Sequence, residues 1–356
     1  MKTLFRIVGG VLGLIILVVV GYAAYLFGSY HRLGSAPIKV EGRAKGEDKT
    51  TIDIVSWNIG FGAYEEDYDF FMDGGSQSWA PSKDQLEINL INIAAVLADR
   101  KADIYLLQEV DIDGTRTYHV NEVERLAATL GEGRQYTFAQ NFDSPFLMYP
   151  FTQPHGANKS GLLTFSSYPI NEAERVELPV EDSLKKILDL DRCYSKQYLS
   201  LQEGKTLVIY NLHLSAYTSD GKIAVEQLKI LLSDMQQEYG KGNYCIAGGD
   251  FNKDLQGDSS KYFGKADKDY TWAQPLPEGI FDGYNISLVA PLNSDKNNEP
   301  APTGRNADSA YHPGQFVLSL DGFLVSDNVN VKSNNVIDTG FKYSDHNPVR
   351  MTVELK

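Results

Sequence analysis

Carboxylate, amide and imidazole side chains occur where several apolar, strand-like segments end. Asn58 ends the segment TIDIVSWN, and Glu109 follows the apolar run IYLLQ. Because α/β sheets place ligands where their strands run out into loops, both residues are candidates for one shared site. A carboxylate at the edge of a buried strand requires a partner or a metal ion. Taken alone, each residue also suits a structural role, as a turn former or an exposed strand end.

Two further segments carry polar side chains in an alternating pattern. In VIYNLHL, Asn211 and His213 share one strand face, and the imidazole could donate a proton or bind a phosphoryl oxygen. In IAGGDFN, Asp250 and Asn252 point the same way after two glycines that permit close backbone approach. This second pair suits the activation of a water molecule. The alternatives are a hydrogen-bonded structural histidine and an Asp-x-Asn turn.

The C-terminal segment YSDHNPV places an acid beside an imidazole. Adjacent residues on a strand point in opposite directions, so Asp345 and His346 have different roles only if the backbone turns there. Upstream, the segment DGFLV offers Asp321 as a carboxylate able to orient and charge-stabilise an imidazole, as the acid of a hydrolytic triad does. Each short motif is weak alone, whereas their joint and ordered occurrence is specific.

The order of these motifs resembles that of the endonuclease/exonuclease/phosphatase superfamily: WNI, QEV, NLHL, GGDFN, DGF and SDHNPV. This superfamily includes deoxyribonucleases, abasic-site endonucleases, neutral sphingomyelinases and inositol-polyphosphate phosphatases. The resemblance spans about Thr51 to Leu355, and GLLTFSSYPI is similar to the family's strand with a Ser before a Tyr-Pro turn. It implies an α/β protein, a four-layer α/β/β/α sandwich of two mixed sheets, that hydrolyses phosphoric ester bonds.

By this resemblance, Glu109 is the chief ligand of a divalent metal ion, assisted by Asn58 and by Asp345. Hard cations such as Mg²⁺ prefer carboxylate, amide and water oxygens, and these residues supply that type of ligand rather than thiolates. We therefore expect Mg²⁺ or Mn²⁺ as the cofactor, as one ion or two. Cys193 and Cys245 show neither a zinc-ligand spacing nor a disulfide framework.

The resemblance also implies the roles of the other polar residues. Asp250 would position or deprotonate the attacking water, and Asn252 would hold that water and a phosphate oxygen. His346, supported by Asp321, would stabilise the transition state or serve as the base. His213 would face it across the phosphate. These roles suit phosphodiester hydrolysis, because charge builds up on the nonbridging and leaving oxygens while a base activates water.

Two residues are expected to bind the substrate. Arg192 resembles a family arginine that grips phosphate, within the segment DRCYSKQY. Asn211 is expected to contact the substrate from the strand face that it shares with His213. The predicted partner is thus a phosphodiester, either a nucleic acid or a phospholipid headgroup, and no protein partner is inferred.

The elements that must position these residues alternate in a pattern typical of α/β layers. Apolar residues at helical spacing predict helices over residues 82–100, 123–130 and 225–235. Ser82 begins a capping-box pattern at the start of the first of them. The β-rich runs TIDIVSW, ADIYLLQEV, TLVIYNLHL and NYCIAGG predict strands. Two loop-rich stretches, residues 60–81 and 254–318, are long enough to shape a substrate site.

The N-terminus predicts a membrane anchor. No charged residue occurs from Ile7 to Tyr30, and this run is long enough to cross a hydrocarbon core of about 30 Å. A cleaved signal peptide is the alternative, because Lys2 and Arg6 precede the run, although the run exceeds the usual signal-peptide core. Lys2 and Arg6 favour an inside N-terminus, so we expect a single-pass protein of the cell membrane with an extracytoplasmic catalytic domain. Basic residues that favour the opposite orientation follow the run: Arg32, Lys39, Arg43, Lys45 and Lys49. The expected parts are the anchor at residues 1–30, a polar linker at 31–50 and the endonuclease/exonuclease/phosphatase domain at 51–356.

Charge narrows the choice of substrate. The chain has 47 acidic and 33 basic residues, a net charge of −14, so its average surface repels polyanions and a nucleic acid needs local help from a bound cation. A nuclease-like phosphodiesterase is the first hypothesis. A sphingomyelinase-like lipid phosphodiesterase, which would explain the tethering, is the second. A non-catalytic scaffold module that retains the fold is the third.

One apolar run bears on the second hypothesis. FDSPFLMYPF, residues 142–151, is a candidate for an exposed loop that contacts a membrane. Packing of these side chains beneath a long loop is the preferred interpretation, because scattered apolar residues in loops usually contribute to satellite cores.

Overall fold

Caps and apolar periodicity determine where the helices lie. Ser82 Oγ accepts the backbone N–H of Gln85 at 3.0 Å, and Asn121 Oδ1 accepts that of Glu124 at 3.2 Å. Both helices therefore begin where a side chain satisfies a free backbone donor. The helices are α1 (Lys2–Ser29), α2 (Lys83–Arg100), α3 (Glu122–Leu130), α4 (Lys222–Gly240) and α5 (Ser260–Phe263). The three helices predicted in the soluble part, α2, α3 and α4, are confirmed.

The structure is a computed structural model that describes residues 1–46, 49, 51–181, 190–201, 204–216, 221–264, 273–293 and 298–356. Within these ranges, a nine-stranded mixed sheet contains the strands predicted from TIDIVSW and ADIYLLQEV, which pair in parallel. From edge to edge its strands are β13 (Glu299–Pro300), β12 (Leu292–Asn293), β17 (Val329–Val336), β18 (Val349–Leu355), β3 (Thr51–Asn58), β4 (Ile104–Gly114), β6 (Asn158–Ser166), β5 (Gln135–Asp143) and β2 (Val40–Gly42).

A second mixed sheet of seven strands contains those predicted from TLVIYNLHL and NYCIAGG, which also pair in parallel. Its strands are, in order, β1 (Ala36–Pro37), β7 (Ile170–Glu177), β8 (Cys193–Ser200), β9 (Thr206–His213), β10 (Tyr244–Asp250), β16 (Asp321–Ser326) and β11 (Ile286–Val289). A small ribbon pairs β14 (Gly304–Arg305) with β15 (Val317–Leu318). The four strands predicted from the β-rich runs are thus confirmed.

Three apolar cores hold these elements in four layers. Ile54 and Ile246 belong to the core between the two sheets. On the other face of the nine-stranded sheet, Trp57 packs in a core with Leu90 of α2. Leu228 of α4 belongs to the core on the outer face of the seven-stranded sheet. Strands with apolar side chains on both faces require such covering layers, so the predicted α/β/β/α sandwich of two mixed sheets is confirmed.

The segment predicted as a linker is attached to both sheets. Ala36–Pro37 pairs with β7, and Val40–Gly42 pairs with β5. Arg32 Nε also lies 3.1 Å from Asp191 Oδ1. Residues 47, 48 and 50 of the predicted linker lie outside the described residues. The described residues from Arg32 to Gly42 therefore run along the domain.

Four of the six large apolar side chains in the run at residues 142–151 are exposed, so the preferred prediction that the run packs beneath a loop is wrong. Only Phe142, at the end of β5, is buried as a core side chain. Phe146 is 41% exposed, Tyr149 63% and Phe151 80%. These side chains lie outside the layered core, because the chain leaves the sheet after Asp143 and returns to it at Asn158.

A buried ion cluster fixes α4 on the seven-stranded sheet. Lys196 Nζ of β8 lies 2.6 Å from Asp234 Oδ1 and 3.0 Å from Glu238 Oε1. Tyr194 donates to Asp234 at 2.6 Å, and Tyr198 donates to Glu238 at 2.9 Å. Burial raises the pKa of Glu238, but hydrogen bonds from lysine and tyrosine donors outweigh it and lower the pKa from 4.5 to about 2. The cluster therefore stabilises the fold above pH 4.5, and this contribution is lost as the pH falls toward 2.

We expect Lys196→Met to lower the free energy of unfolding by about 3 kcal/mol at pH 7, because Asp234 and Glu238 lose the buried cation that they share and the exposed Lys241 remains beside Glu238. Chemical denaturation measures the loss. The control is Lys229→Met, at an exposed lysine on α4, which should change the stability by less than about 0.5 kcal/mol. Equal stabilities of the two variants would show that the cluster does not stabilise the α4 layer.

Candidate active site

Asn58, at the end of β3, connects carboxylates carried by the two different sheets. Its Nδ2 donates to Glu109 Oε1 at 3.0 Å and to Asp250 Oδ2 at 3.1 Å. Its Oδ1 accepts the backbone N–H of Gly60 at 3.0 Å. The amide nitrogen, rather than the oxygen, thus faces the carboxylates, which is a positioning contact. Direct binding of a metal ion through Asn58 Oδ1 stays a prediction.

Glu109 lies at an irregularity of β4. The register between β4 and β6 shifts between Leu107 and Val110, and the φ angle of Glu109 is 54°. A positive φ is strained for a residue other than glycine, and a bulge re-aims the side chains beside it. Gln108 consequently points between the sheets, where its Nε2 donates to Asn211 Oδ1 at 2.7 Å. Glu109 points into a cavity at the strand ends, with 27% of its side chain exposed.

His346 and Asp321 form a buried pair. His346 Nδ1 donates to Asp321 Oδ2 at 2.7 Å, and His346 Nε2 lies 3.8 Å from Asp250 Oδ2. The antiparallel pairing of β10 with β16 aligns Asp250 with Asp321 and so brings these groups together. Burial disfavours the imidazolium, but the carboxylates of Asp321 and Asp250 raise the pKa of His346 well above its ordinary value. These carboxylates therefore favour the imidazolium form of His346, which Asp321 orients.

His213, at the end of β9, has the opposite protonation state. Its Nε2 lies 3.5 Å from Asp250 Oδ2 and 4.0 Å from Glu109 Oε1. Burial, together with the neighbouring charges of Arg192 and His346, lowers the pKa of His213 well below its ordinary value. Arg192 Nη1 also donates to the His213 backbone oxygen at 3.5 Å. The site thus presents one neutral and one charged imidazole on either side of Asp250, a division typical of acid and base roles.

For the carboxylates of Asp250 and Asp345, the neighbouring positive charge does not offset the effect of burial on the pKa. Burial raises the pKa of Asp250 to about 7 despite the nearby His346 cation, and the Asp321 carboxylate adds to the rise. Burial raises the pKa of Asp345 to about 6, and the charge of Glu109 contributes in the same direction. Buried carboxylates in this arrangement repel each other, and a cation between them removes the repulsion.

Glu109 and Asp345 are the candidate ligands for a divalent cation. Ligand atoms of Asp250, Asp321 and His346 lie within 4.8 Å of one another, a spacing that also suits a metal ion. However, Asp321 and His346 already form a hydrogen bond with each other, so their facing atoms are occupied. Glu109 and Asp345 both line the cavity and offer the oxygen ligands that Mg²⁺ and Mn²⁺ prefer.

Asn252 and Asn211, the two other predicted amides, have different surroundings. Asn252 has a φ of 48°, lines the cavity and donates through Nδ2 to Leu214 O at 2.8 Å. Its backbone N–H donates to Asp250 Oδ1 at 2.8 Å. Asn211 is fully buried between the sheets, where its Nδ2 donates to Leu107 O at 3.1 Å. Its contacts in the structure are thus with the sheets, and its substrate contact stays a prediction.

The predicted residues surround one cavity of about 260 Å³. Asn58 and Asp321 lie behind its wall, each hydrogen bonded to a residue that lines it. Of the ten predicted site residues, seven line the cavity: Glu109, Arg192, His213, Asp250, Asn252, Asp345 and His346. Chain segments that are far apart in sequence therefore supply one site.

The other wall of the cavity is largely apolar, and sequence reasoning did not assign its residues. The loop at residues 60–81, which was predicted to shape the site, supplies much of this wall, and that prediction is confirmed. Arg305 and Asn306 of the loop at residues 254–318 also line the cavity. Residues 265–272 and 294–297 of this loop lie outside the described part of the chain. The apolar lining comprises Phe61, Phe70, Phe71, Met72, Phe142, Leu147, Leu190, Ala216 and Leu320, together with Tyr64 and Tyr149. Aromatic enrichment of residues 60–81 was the available sequence signal.

Arg116 also lines the cavity without a recognisable motif. Its Nε and Nη2 donate to Asp111 at 2.9 and 2.7 Å, and its guanidinium lies 3.7 Å from the centre of the Phe61 ring. The charge is therefore balanced by Asp111 and covered by an aromatic face. No sequence spacing indicates this pair, because a short 3-10 helix at Thr115–Thr117 brings the two residues together.

The family model of the endonuclease/exonuclease/phosphatase family matches residues 55–346, and the chain belongs to this family. Its members are hydrolases that act on phosphoester bonds and generally depend on a divalent metal ion. No curated protein matches the chain closely enough to count as a relative.

Solved structures share the fold at low sequence identity. An endonuclease/exonuclease/phosphatase from Beutenbergia cavernae has a TM-score of 0.56 at 17% identity, covering 86% of this chain and 72% of its own. The human Nocturnin catalytic domain with bound sulfate anion has a TM-score of 0.53 at 21% identity. The match covers 90% of this chain and 98% of the Nocturnin chain. ANGEL2, a 2',3'-cyclic phosphatase, in complex with adenosine-2',3'-vanadate, has a TM-score of 0.55 at 16% identity. The match covers 89% of this chain and 98% of the ANGEL2 chain. At these identities the likeness shows the fold alone.

We expect Glu109→Gln to weaken Mn²⁺ binding by at least about tenfold, because it removes a charged oxygen ligand from the cavity. Electron paramagnetic resonance of free Mn²⁺ measures the affinity without an activity assay. Asp113→Asn is the matched control, since Asp113 is an exposed carboxylate on the same strand and should leave the affinity unchanged. An unchanged affinity in Glu109→Gln would remove Glu109 from the metal site.

We expect Asp321→Asn to lower the turnover number by about 10⁴-fold with little change in KM, because His346 loses the carboxylate that orients and charges it. Turnover of a chromogenic phosphodiester measures the effect, and circular dichroism checks the fold. The control is Asp327→Asn, at an exposed acid directly after β16, and it should retain full turnover. A loss of less than tenfold would assign Asp321 a structural role.

Proposed function

We propose that the protein is a membrane-anchored, divalent-metal-dependent phosphodiester hydrolase. The observation that carries this proposal is the convergence of Glu109, Asp250 and His346 on one cavity, from three separate segments of the chain. Hydrolysis of a phosphodiester requires a base for water, positive charge for the phosphate oxygens and oxygen ligands for a cation. Each of these requirements has a candidate residue within the cavity.

Asp250 is the proposed base. Its carboxylate receives an N–H from Asn252 on Oδ1 and one from Asn58 on Oδ2, so both oxygens are fixed in direction. Its Oδ2 also faces both imidazoles, at 3.5 and 3.8 Å. A water held between these groups would lose its proton to Asp250 as it attacks phosphorus.

The two imidazoles would act on the phosphate oxygens. His346, held by Asp321, presents Nε2 toward Asp250 and can donate a hydrogen bond to a nonbridging oxygen. His213 presents a neutral ring on the other side, and Arg192 lies next to it in the same wall. Glu109 and Asp345 would hold the cation, whose chemical contribution when bound is positive charge at the phosphate oxygens.

The character of the cavity favours the lipid alternative over a nuclease. A long polyanion meets a net charge of −14, and the wall beside the catalytic residues is apolar, with Phe71, Met72 and Tyr149 among its side chains. Single-stranded nucleic acids bind to grooves that combine aromatic residues with basic residues free to meet phosphates, whereas the Arg116 guanidinium in this cavity is already paired with Asp111. An apolar wall beside a phosphate site instead fits a substrate that carries apolar groups next to its phosphodiester. The nuclease-like assignment remains the alternative.

Helix α1 supports anchoring in a membrane. It has 28 residues, its span is long and apolar enough to cross a bilayer, and none of its residues is buried. A core helix of a soluble domain with this composition would be mostly covered by protein. Lys2 and Arg6 at its start favour an inside N-terminus and thus the outside catalytic domain that we propose, whereas the five basic residues from Arg32 to Lys49 favour the opposite orientation. A removed signal sequence is the alternative, which the mass of the mature chain tests.

The proposed activity predicts metal-dependent turnover by the full chain in phosphatidylcholine vesicles. We expect hydrolysis of bis-p-nitrophenyl phosphate with Mg²⁺ or Mn²⁺ and loss of it with EDTA, measured by absorbance. His346→Ala should abolish it in a folded protein, whereas His312→Ala, at an exposed histidine, should not. Sphingomyelin, plasmid DNA and RNA are assayed in parallel, and cleavage of DNA or RNA but not of lipid would select the nuclease alternative. No metal-dependent turnover of any substrate, with the fold intact, would favour the non-catalytic scaffold.

A further inference from the structure

The far end of α1 can be located relative to a bilayer. A hydrocarbon core of about 30 Å takes about 20 helical residues. Counted from Ile7, the first residue after the charged Arg6, this span ends at about Leu26. Tyr22 and Tyr25 then lie within about 6 Å of the second membrane surface, at the depth where tyrosine side chains are enriched in membrane proteins.

Both tyrosines hold the loop that leaves the nine-stranded sheet. The Tyr22 hydroxyl donates to Phe146 O at 3.1 Å and accepts the N–H of Met148 at 3.0 Å. The Tyr25 hydroxyl accepts the N–H of Phe146 at 2.9 Å. These contacts join residues more than 120 positions apart in sequence. They bring the backbone of this loop to the same depth as the end of the membrane span.

The loop at residues 144–151, the apolar loop, is suited to that depth. Four of its side chains are large, apolar and substantially exposed: Phe146 at 41%, Met148 at 39%, Tyr149 at 63% and Phe151 at 80%. No Asp, Glu, Lys or Arg occurs between Asp143 and Lys159. His155, within that stretch, is neutral, because burial and the charge of Arg116 lower its pKa to about 3. Transfer of this segment into the interface therefore carries no charge-desolvation cost.

The apolar loop also borders the cavity. Leu147 and Tyr149 belong to its lining, and the Tyr149 ring lies 5.8 Å from that of Phe71 on the opposing loop. Met72, which is 54% exposed, lines the same wall. The apolar rim of the cavity thus continues directly into the exposed apolar loop and, through Tyr22, into α1.

We propose that the apolar loop inserts into the bilayer that holds α1, so that the cavity opens onto the membrane surface. The substrate is then a phosphodiester presented in the plane of the membrane, as a lipid headgroup. This inference rests on the membrane anchoring and the hydrolase activity proposed above, and adds the surface through which the site meets its substrate. Insertion of Phe151 and its neighbours fixes the tilt of the domain, which a single flexible tether does not do.

A thiol-reactive fluorophore can report the depth of the loop. Cys193 and Cys245 are both buried, so in a Phe151→Cys variant the dye reacts at the introduced thiol. In phosphatidylcholine vesicles that contain the full chain, we expect a blue-shifted emission and quenching by nitroxide-labelled acyl chains. Ile91→Cys is the matched control, because Ile91 is 67% exposed on α2 and should be quenched by aqueous iodide instead.

A second probe tests the direction of the cavity. A dye at Met72→Cys should be quenched by nitroxide at the headgroup more strongly than by nitroxide deep in the acyl chains. Equal exposure of the Phe151 and Ile91 probes to iodide would overturn the insertion of the loop. A Phe151 probe in the acyl region with a Met72 probe fully open to iodide would overturn the orientation of the cavity.

The activity assay separates this inference from the proposed function. The unlabelled full chain in the same vesicles is tested for metal-dependent turnover of bis-p-nitrophenyl phosphate. Turnover without insertion of the Phe151 probe rejects membrane docking of the loop and leaves the hydrolase intact. Insertion without turnover supports the docking surface and rejects the hydrolase. Replacing Phe146 and Phe151 by serine should lower hydrolysis of a lipid phosphodiester by about tenfold, while leaving turnover of the soluble diester unchanged.

Discussion

The site depends on the repulsion among carboxylates that are buried close together. Asp250 and Asp321 are buried, Asp345 is partly buried, and Glu109 lies beside them. The protein compensates part of this charge with the His346 cation and with the amide N–H groups of Asn58. The rest calls for a cation, which is the requirement that a divalent metal ion meets. A site of this kind accepts a phosphate only together with positive charge, so metal binding and substrate binding are expected to be coupled.

Strand pairing supplies the precision that this arrangement needs. Parallel β9 and β10 align Asp250 with His213, and antiparallel β16 aligns Asp250 with Asp321. Gly249 permits this register, because a Cβ at that position would lie 2.0 Å from Leu212 O. The sheets thus fix the catalytic groups on rigid strand ends, while the long loops supply the cavity wall. Such a division keeps the chemistry constant and leaves substrate choice to loop side chains.

The surroundings of the site explain how one fold can serve a membrane-bound substrate. The acidic surface discourages long polyanions, whereas the apolar wall and the exposed side chains of the apolar loop favour an apolar boundary. Tyr22 and Tyr25 connect this loop to α1 and thereby couple the anchor to the mouth of the cavity. In the proposed arrangement, the anchor holds the domain at the membrane and also determines which side of it faces the lipid.

The sequence alone determined the helices, the principal strands, the family and most of the polar residues that the structure brings to one cavity, because periodicity, caps and short ordered motifs are local signals. Tertiary structure decided the rest. Asn58 meets Asp250 across 192 positions of sequence, the β4 bulge turns Glu109 into the cavity, and Asn211 is enclosed between the sheets. Exposure of the apolar loop was predicted wrongly for the same reason. Whether an apolar run is covered depends on which distant element lies over it, and long-range packing, not local pattern, sets that.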